Sequence, residues 1–294
     1  MKIRRGAAGL EVAQAGQWIA WPALPEAVRA QLAWLQTLAP EPCLPGLPSL
    51  PFSPRSFRDG MLFEKHWVQS SRGYARRFMP LAYRAARLVE WISRRPFPAF
   101  RPHALAHRQP IYYFGNHLTF VPSGTPVGTP SYAKVLDYEL ELGLVLSRPL
   151  LNATPQQAVA AIGGFVVVND WTARDVQRPE MQSGMGPQKS KHFLSSMSDT
   201  LVTADEVLPR IDALSAWVEL NGRTVARTST QGMLFSLGEL LSHLSRDEPL
   251  HPGELIATGT LPHGCGMENG HWVKPGDVLR IGIDGVGEIE HRIQ

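Results

Sequence analysis

Asp137, Glu139 and Glu141 alternate with Leu136, Tyr138, Leu140 and Leu142 in the stretch LDYELELG, residues 136–143. On a strand, alternate side chains point to opposite faces, so the acids share one face and the apolar residues the other. Glu139 and Glu141 would then stand about 6.5–7 Å apart. Two like charges at that spacing repel by roughly 2 kcal/mol at an effective dielectric near 20. Either that face is wet, or basic side chains neutralise it, or a cation sits between the acids. A second polar pair, Asn169–Asp170, ends the apolar run GGFVVV, either as a chemical group at the end of a buried strand or as a cap for the segment that follows. Two Glu and one Asp make a hard-oxygen donor set, which suits Mg²⁺ or Mn²⁺, and Ca²⁺ as well, but not Zn²⁺. Three carboxylates carry one charge more than a divalent cation neutralises. Arg174, Lys189 and Lys191 are the bases available to balance it.

The elements that must hold these residues are strands. IYYFG, LDYELELGLVL, GGFVVVND, SAWVELNGRTVART and DVLRIGIDGVGEIEHRI all have strand character. Asn221–Gly222 and Asp284–Gly285 supply the positive-φ residues of tight hairpins. TPQQAVAAIG and MLFSLGELLSHLS read as helices, the first capped by Thr154 with Pro155 at its first position. Strands dominate without a regular βαβ alternation, which argues for a mixed, β-rich α+β domain and against a doubly wound sheet. The first part of the chain differs. Residues 7–21 suggest short strands turning at Ala15–Gly16, and 25–38 a helix. The Pro-rich stretch 39–54 suggests an extended loop. SFRDGMLFEKHWVQSSRGYARRF and PLAYRAARLVEWISRR have the spacing of two helices. A Pro-punctuated connector at 96–110 suggests a division between a smaller N-terminal domain, 1–107, and a larger second domain, 108–294.

Composition excludes several classes. The formal net charge is +3 over 294 residues, and the basic residues are scattered apart from three Arg pairs, unlike the dense stripe of a nucleic-acid binder. No window has the apolar length of a membrane span, and MKIRRGAAGLEVAQAGQWIAW makes a poor signal peptide. Cys43 and Cys265 are far apart in the chain, so reduced thiols in the cytoplasm are expected, not a disulfide framework. GIDGVG lies between strands and reads as a hairpin rather than a dinucleotide loop. His263, Cys265 and His271 lack the usual zinc spacing.

LDYELELGLVL, GGFVVVNDWTARDVQ, KSKHF followed by VTADEV, VELNGRTV, and IATGTLPHGCG…VKPGDVLRI occur in that order. Together they resemble the catalytic domain of the fumarylacetoacetate hydrolase family over about residues 108–294, and SFRDGMLFEKHW resembles the segment that precedes it in bacterial members. The resemblance implies a mixed β-sandwich roll, a homodimer, and Mg²⁺ or Mn²⁺ held by Glu139, Glu141 and Asp170. It places Arg174, Gln177 and Thr260 around the substrate and Lys191 beside the metal, and it leaves Asp137 structural. It implies a His–Glu pair as base, for which His117 in IYYFGNHLTF and Glu268 in CGMENG are the candidates. A further Asp that animal hydrolases place just before the His loop has no counterpart at Gln109–Pro110. The implied activity is hydrolytic cleavage of a C–C bond in a β-diketone or acylpyruvate through a metal-stabilised enolate. Decarboxylation, isomerisation or hydration of 2-oxo acids, thioester hydrolysis, and a non-catalytic binding protein that retains the fold are the alternatives.

Overall fold

The computed structural model describes residues 1–6, 9–38 and 46–294, and Cys43 lies outside them. Strands β1 (Lys2–Gly6), β2 (Gly9–Gln14) and β3 (Gln17–Ala20) form a meander. Its last turn uses Ala15 and Gly16 at φ 48° and 79°, the positive values a two-residue hairpin requires. Helix α1 (Glu26–Gln36) follows Pro25 and buries Leu32 and Leu35.

The expected helix over 56–78 is corrected. Ser56–Gly60 is a strand, β4, and the helix, α2, spans Glu64–Phe78. Phe57, Arg58 and Asp59 are all buried because β4 lies between two other strands, parallel to one and antiparallel to the next. Pro80 opens α3 (Pro80–Ser93) immediately after α2. Glu90 of α3 ties the pair together by accepting from Arg72 at 2.7 Å and from the Phe97 backbone at 3.0 Å.

The next segment supplies β5 (Tyr112–Gly115), β6 (Phe120–Pro122), β7 (Leu136–Asp137) and β8 (Glu139–Leu146). After α4 (Pro155–Ala160), capped reciprocally by Thr154 and Gln157, come β9 (Ile162–Asn169), β10 (Thr172–Ala173) and α5 (Arg174–Gln182). They are followed by β11 (Ser195–Met197), β12 (Thr200–Thr203), α6 (Ala204–Val207), β13 (Ser215–Leu220) and β14 (Arg223–Ser229). The chain continues through α7 (Leu237–Leu244), β15 (Glu254–Cys265), α8 (Gly266–Asn269), β16 (Val278–Ile283) and β17 (Gly287–Arg292).

Among the described residues, the large sheet has eleven strands and runs β3-β2-β1-β12-β9-β8-β15-β4-β5, with β11 also pairing with β9 and β6 with β11. Strands from before residue 107 therefore hydrogen-bond into the same sheet as strands from after it. A second sheet, β14-β13-β16-β17, is built on the two hairpins at Asn221–Gly222 and Asp284–Gly285.

β8 is buried along its whole length, and its two faces meet different surroundings. Leu140, Leu142, Leu144 and Leu146 pack with Ile281, Ile283 and Ile289 of the second sheet and with Leu240 and Leu241 of α7. On the other face, Val145 packs with Val166, Val168, Ile3, Leu10 and α1. Glu139 and Glu141 lie on that second face, at the end of β8 away from α1. The acidic face is thus dry, which removes the wet reading of LDYELELG.

Candidate active site

Four neighbouring strands, β9, β8, β15 and β4, bring the polar groups together. Glu141 sits in register with Val168 of β9 and Thr260 of β15, and Asp59 of β4 with Ala257 of β15 and Tyr113 of β5. Asp170 follows the last residue of β9, and its backbone N–H donates to the Glu139 carbonyl at 3.1 Å. Asp59, Glu141 and Asp170 each offer a carboxylate oxygen, and these oxygens lie within 4.8 Å of one another.

The electrostatics of this cluster are adverse in the protein alone. Burial, then the charge of Asp170, pushes Asp59 up to about 7. Burial, Asp59 and Asp170 hold Glu141 well above the ordinary carboxylate range. Burial raises Asp170 too, against the opposing pull of Lys191. Asp59 Oδ1 and Glu141 Oε2 are buried and have no hydrogen-bond partner among the described residues. Unpaired buried anionic oxygens are costly. Three converging carboxylates, two of them with an unpartnered oxygen, are the donor set of a hard divalent cation, so the residues fit such an ion.

Glu139 is placed differently. It accepts from Arg174 Nη2 at 2.7 Å and from Lys191 Nζ, and Lys191 also donates to Asp170 Oδ2. Burial alone would raise Glu139, but Arg174 and Lys191 hold it well below the ordinary range. Lys191 is kept charged by Asp170 and Glu139 against its own burial. Of the three expected metal ligands, Glu141 and Asp170 meet each other and Asp59, while Glu139 accepts from one cationic side chain on each of its oxygens. The third acid of the cluster, Asp59, arrives from β4.

The substrate-side residues are also engaged. Arg174 Nε donates to Asp137 Oδ2 at 2.8 Å and its Nη1 to Gln177 Oε1 at 3.0 Å. Asp137 further accepts from the Gly266 and Met267 backbone at 2.8 and 3.0 Å, which fixes the start of α8. Thr260 Oγ1 donates to Glu141 Oε1 at 3.0 Å. Tyr113 donates its hydroxyl to Asp170 Oδ2.

The expected His117–Glu268 pairing is corrected. Glu268 Oε1 lies 2.5 Å from His66 Nδ1 of α2, and Glu268 Oε2 accepts from the His263 backbone at 2.9 Å. The His66 and Glu268 side chains are 4% and 0% exposed. His117 occupies a half-exposed 3₁₀ turn after β5, and its side chain makes no hydrogen bond to the other described residues. A bulge in β15 explains where Glu268 lands. Cys265 pairs with Glu139 and Thr260 with Glu141, so five steps of β15 oppose two steps of β8. The excess chain, with His263 at φ 65°, swings α8 toward α2.

Sequence reasoning thus missed Asp59, His66 and Tyr113. The available signal was the spacing of an acid and a histidine seven residues apart, across the end of a short strand and the first turn of a helix. It was obscured by extending the helix back through Gly60, a poor helix former.

A mixed sheet thus carries a buried carboxylate cluster whose donors fit a hard cation, together with a buried His–Glu pair. The profile of the family described as Fumarylacetoacetate (FAA) hydrolase C-terminal matches residues 84–294, and the chain belongs to that family. Asp59 and His66 precede the matched span. Oxaloacetate tautomerase FAHD1, mitochondrial, of Rattus norvegicus is 32% identical over 186 residues, covering 63% of this chain and 81% of the relative. Fumarylacetoacetate hydrolase from psychrophilic Exiguobacterium antarcticum superposes with a TM-score of 0.68 at 20% identity, over 100% of this chain and 98% of that one. Fumarylpyruvate hydrolase from Pseudomonas aeruginosa, in complex with Mn²⁺ and pyruvate, superposes at 0.61 with 22% identity, over 87% and 97% of the two chains. These two structures show the fold. Among the described residues, no helix is long and apolar enough to cross a membrane.

Proposed function

We propose that this chain is a divalent-metal-dependent enzyme of small oxo acids and β-diketones, with hydrolytic C–C cleavage of an acylpyruvate-type substrate as its reaction. The observation that carries this reading is the convergence of Asp59, Glu141 and Asp170 next to the buried His66–Glu268 pair.

Asp59, Glu141 and Asp170 would hold Mg²⁺ or Mn²⁺, and Ca²⁺ suits the same donors. Once bound, such a cation polarises a carbonyl and makes a water more acidic. The remaining work falls to side chains. Glu268 accepts the Nδ1–H of His66, which leaves the Nε2 lone pair to take a proton from water. Lys191, fixed between Glu139 and Asp170, places a permanent positive charge where negative charge develops on the substrate. Thr260 orients Glu141 through its 3.0 Å bond. Gln177 spends its carbonyl on Arg174 and keeps its amide N–H groups for the substrate. In this reading His66 replaces His117 as the base.

A second reading is tautomerisation of a 2-oxo acid, supported by the name of the 32% identical relative. The same base would then shuttle a proton between carbon and oxygen with no bond cleaved. Assays of acylpyruvates and of the enol and keto forms of oxaloacetate, with Mg²⁺ or Mn²⁺ and with EDTA, separate the two. Cleavage products from acylpyruvates support the first reading, and interconversion without cleavage supports the second. Undiminished turnover of His66→Ala with EDTA present would remove both. A non-catalytic role is disfavoured because a fold alone has no need of five buried acids at one centre.

The homodimer belongs to the same proposal. Its support is the outward face of α3, where Leu81, Leu88, Trp91 and Ile92 are 79%, 58%, 67% and 69% exposed, a contiguous apolar patch of the kind that marks an interface. Sedimentation of wild type and Leu88→Glu tests it. The cytoplasm is the proposed compartment, and cell fractionation tests that.

A further inference from the structure

The mechanism leaves one buried group beside the base unused. Cys265 is fully buried at the end of β15, and its Sγ lies 3.5 Å from Glu268 Oε1. His66, Cys265 and Glu268 offer a nitrogen, a sulfur and an oxygen, all within 4.8 Å of one another. None of the three belongs to the carboxylate cluster. The donors come from three elements, α2, β15 and α8, that pack against one another: a Cβ on Gly73 of α2 would lie 1.8 Å from the Met267 carbonyl oxygen of α8.

The two donor sets differ in kind. Asp59, Glu141 and Asp170 present oxygen only, which a hard cation prefers. One imidazole, one thiolate and one carboxylate suit a borderline-soft cation bound tetrahedrally, with the fourth position left to water. We propose that His66, Cys265 and Glu268 form a second metal site, for a thiophilic cation of the Zn²⁺ class, and that its occupation disables the enzyme. As the ion binds, Cys265 gives its S–H proton to solvent and a sulfur–metal bond forms. His66 moves its proton to Nε2 and gives the Nδ1 lone pair to the ion. The Nε2 lone pair needed for proton acceptance is then gone. The binding half stands on the triad alone, whereas the inactivation half rests on His66 being the base.

Cd²⁺ is the probe, because a Cd²⁺–thiolate bond has its own near-ultraviolet charge-transfer band. The Mg²⁺-loaded protein is titrated with Cd²⁺ in excess Mg²⁺. The band is expected to saturate at one equivalent in wild type and in Cys43→Ser, to be displaced by Zn²⁺, and to be absent in Cys265→Ser. Glu268→Gln keeps the band with affinity lowered by about tenfold or more, which tests the triad independently of how Cys265→Ser folds. No band at one equivalent in wild type, or a band that persists in Cys265→Ser and vanishes in Cys43→Ser, overturns the site. One equivalent of Zn²⁺ is then expected to abolish wild-type turnover, with recovery on chelation and Mg²⁺ reloading, and to spare Cys265→Ser. A wild type that shows the band yet turns over at full rate keeps the site and overturns His66 as base.

Discussion

Gly73 and Met267 meet backbone to backbone, at a distance that leaves no room for a side chain on α2. His66 sits seven residues earlier on α2, two turns away, and Glu268 follows Met267 on α8. The contact therefore sets how close the histidine and its acid can come. Gly73→Ala should push α2 off α8. An overpacked contact of this kind costs roughly 1–3 kcal/mol, read as a lower Tm. Turnover should fall further than metal affinity does, since Asp59, Glu141 and Asp170 lie on the sheet. Equal losses in turnover and in calorimetric metal affinity would show that the contact does not position the base.

Asp59→Asn should act in opposite directions with and without the cation. Asp59 is held up to about 7 by burial and by Asp170, so its ionised form opposes folding in metal-free protein. The sign follows from linkage: a carboxylate raised above its unfolded value costs stability at every pH above that value, and the cost is full above about 7. Metal-stripped Asp59→Asn should melt higher than metal-stripped wild type at pH 8. Its stabilisation by Mg²⁺ or Mn²⁺ should shrink, with affinity lower by at least about tenfold. A variant that melts lower without metal and binds it normally would remove Asp59 from the cluster's role.

His66→Ala and His117→Ala separate the two candidate bases. His66→Ala should lower kcat by roughly 10²–10⁴-fold, the range of a general base, with metal affinity retained. His117→Ala should stay within a few-fold of wild type. The reverse pattern would return the base to the loop after β5.

His291 gives the fold a separate acid sensitivity. It is 1% exposed, its Nδ1 lies 2.7 Å from the Thr125 carbonyl, and its ring packs edge-on against Trp171 at 5.7 Å. Burial pulls it down to about 4, against the opposing effect of the Thr125 bond. A histidine whose folded value lies below its ordinary 6.5 contributes stability that is complete above about 6.5. That stability is lost as pH falls from there through about 4, and is worth about 3 kcal/mol in all. Denaturant midpoints between pH 7 and 4 should fall in wild type and flatten in His291→Leu. An unchanged slope in the variant would assign the acid sensitivity elsewhere.

Much of this arrangement could be read from local pattern. The alternation in LDYELELG put the acids on one face, the run into Asn169–Asp170 put the third acid at a strand end, and Asn221–Gly222 marked a hairpin. These are short-range signals, carried by side-chain periodicity and backbone φ. Asp59 and His66 were hidden because their meaning depends on β15, a strand nearly two hundred residues further along the chain. Nothing local in SFRDG says that it will pair in parallel there. Glu268 was visible after the Gly259–Thr260 turn, but its partner was not, because the β15 bulge that aims it has no periodic signature. Glu139 and Glu141 look equivalent in sequence, and only the arrival of Arg174 and Lys191 tells them apart.

The parallel pairing of β4 with β15, Ser56 opposite Glu254, has a consequence for biosynthesis. Until the ribosome has released residues near 257, β4 has β5 on one side but lacks the strand that joins it to β8 and Glu141, and long-range pairing of this kind is slow to form. Under the proposed function, cation loading follows the emergence of β15, and a nascent or truncated chain that stops short of β15 should sequester no ion at this centre.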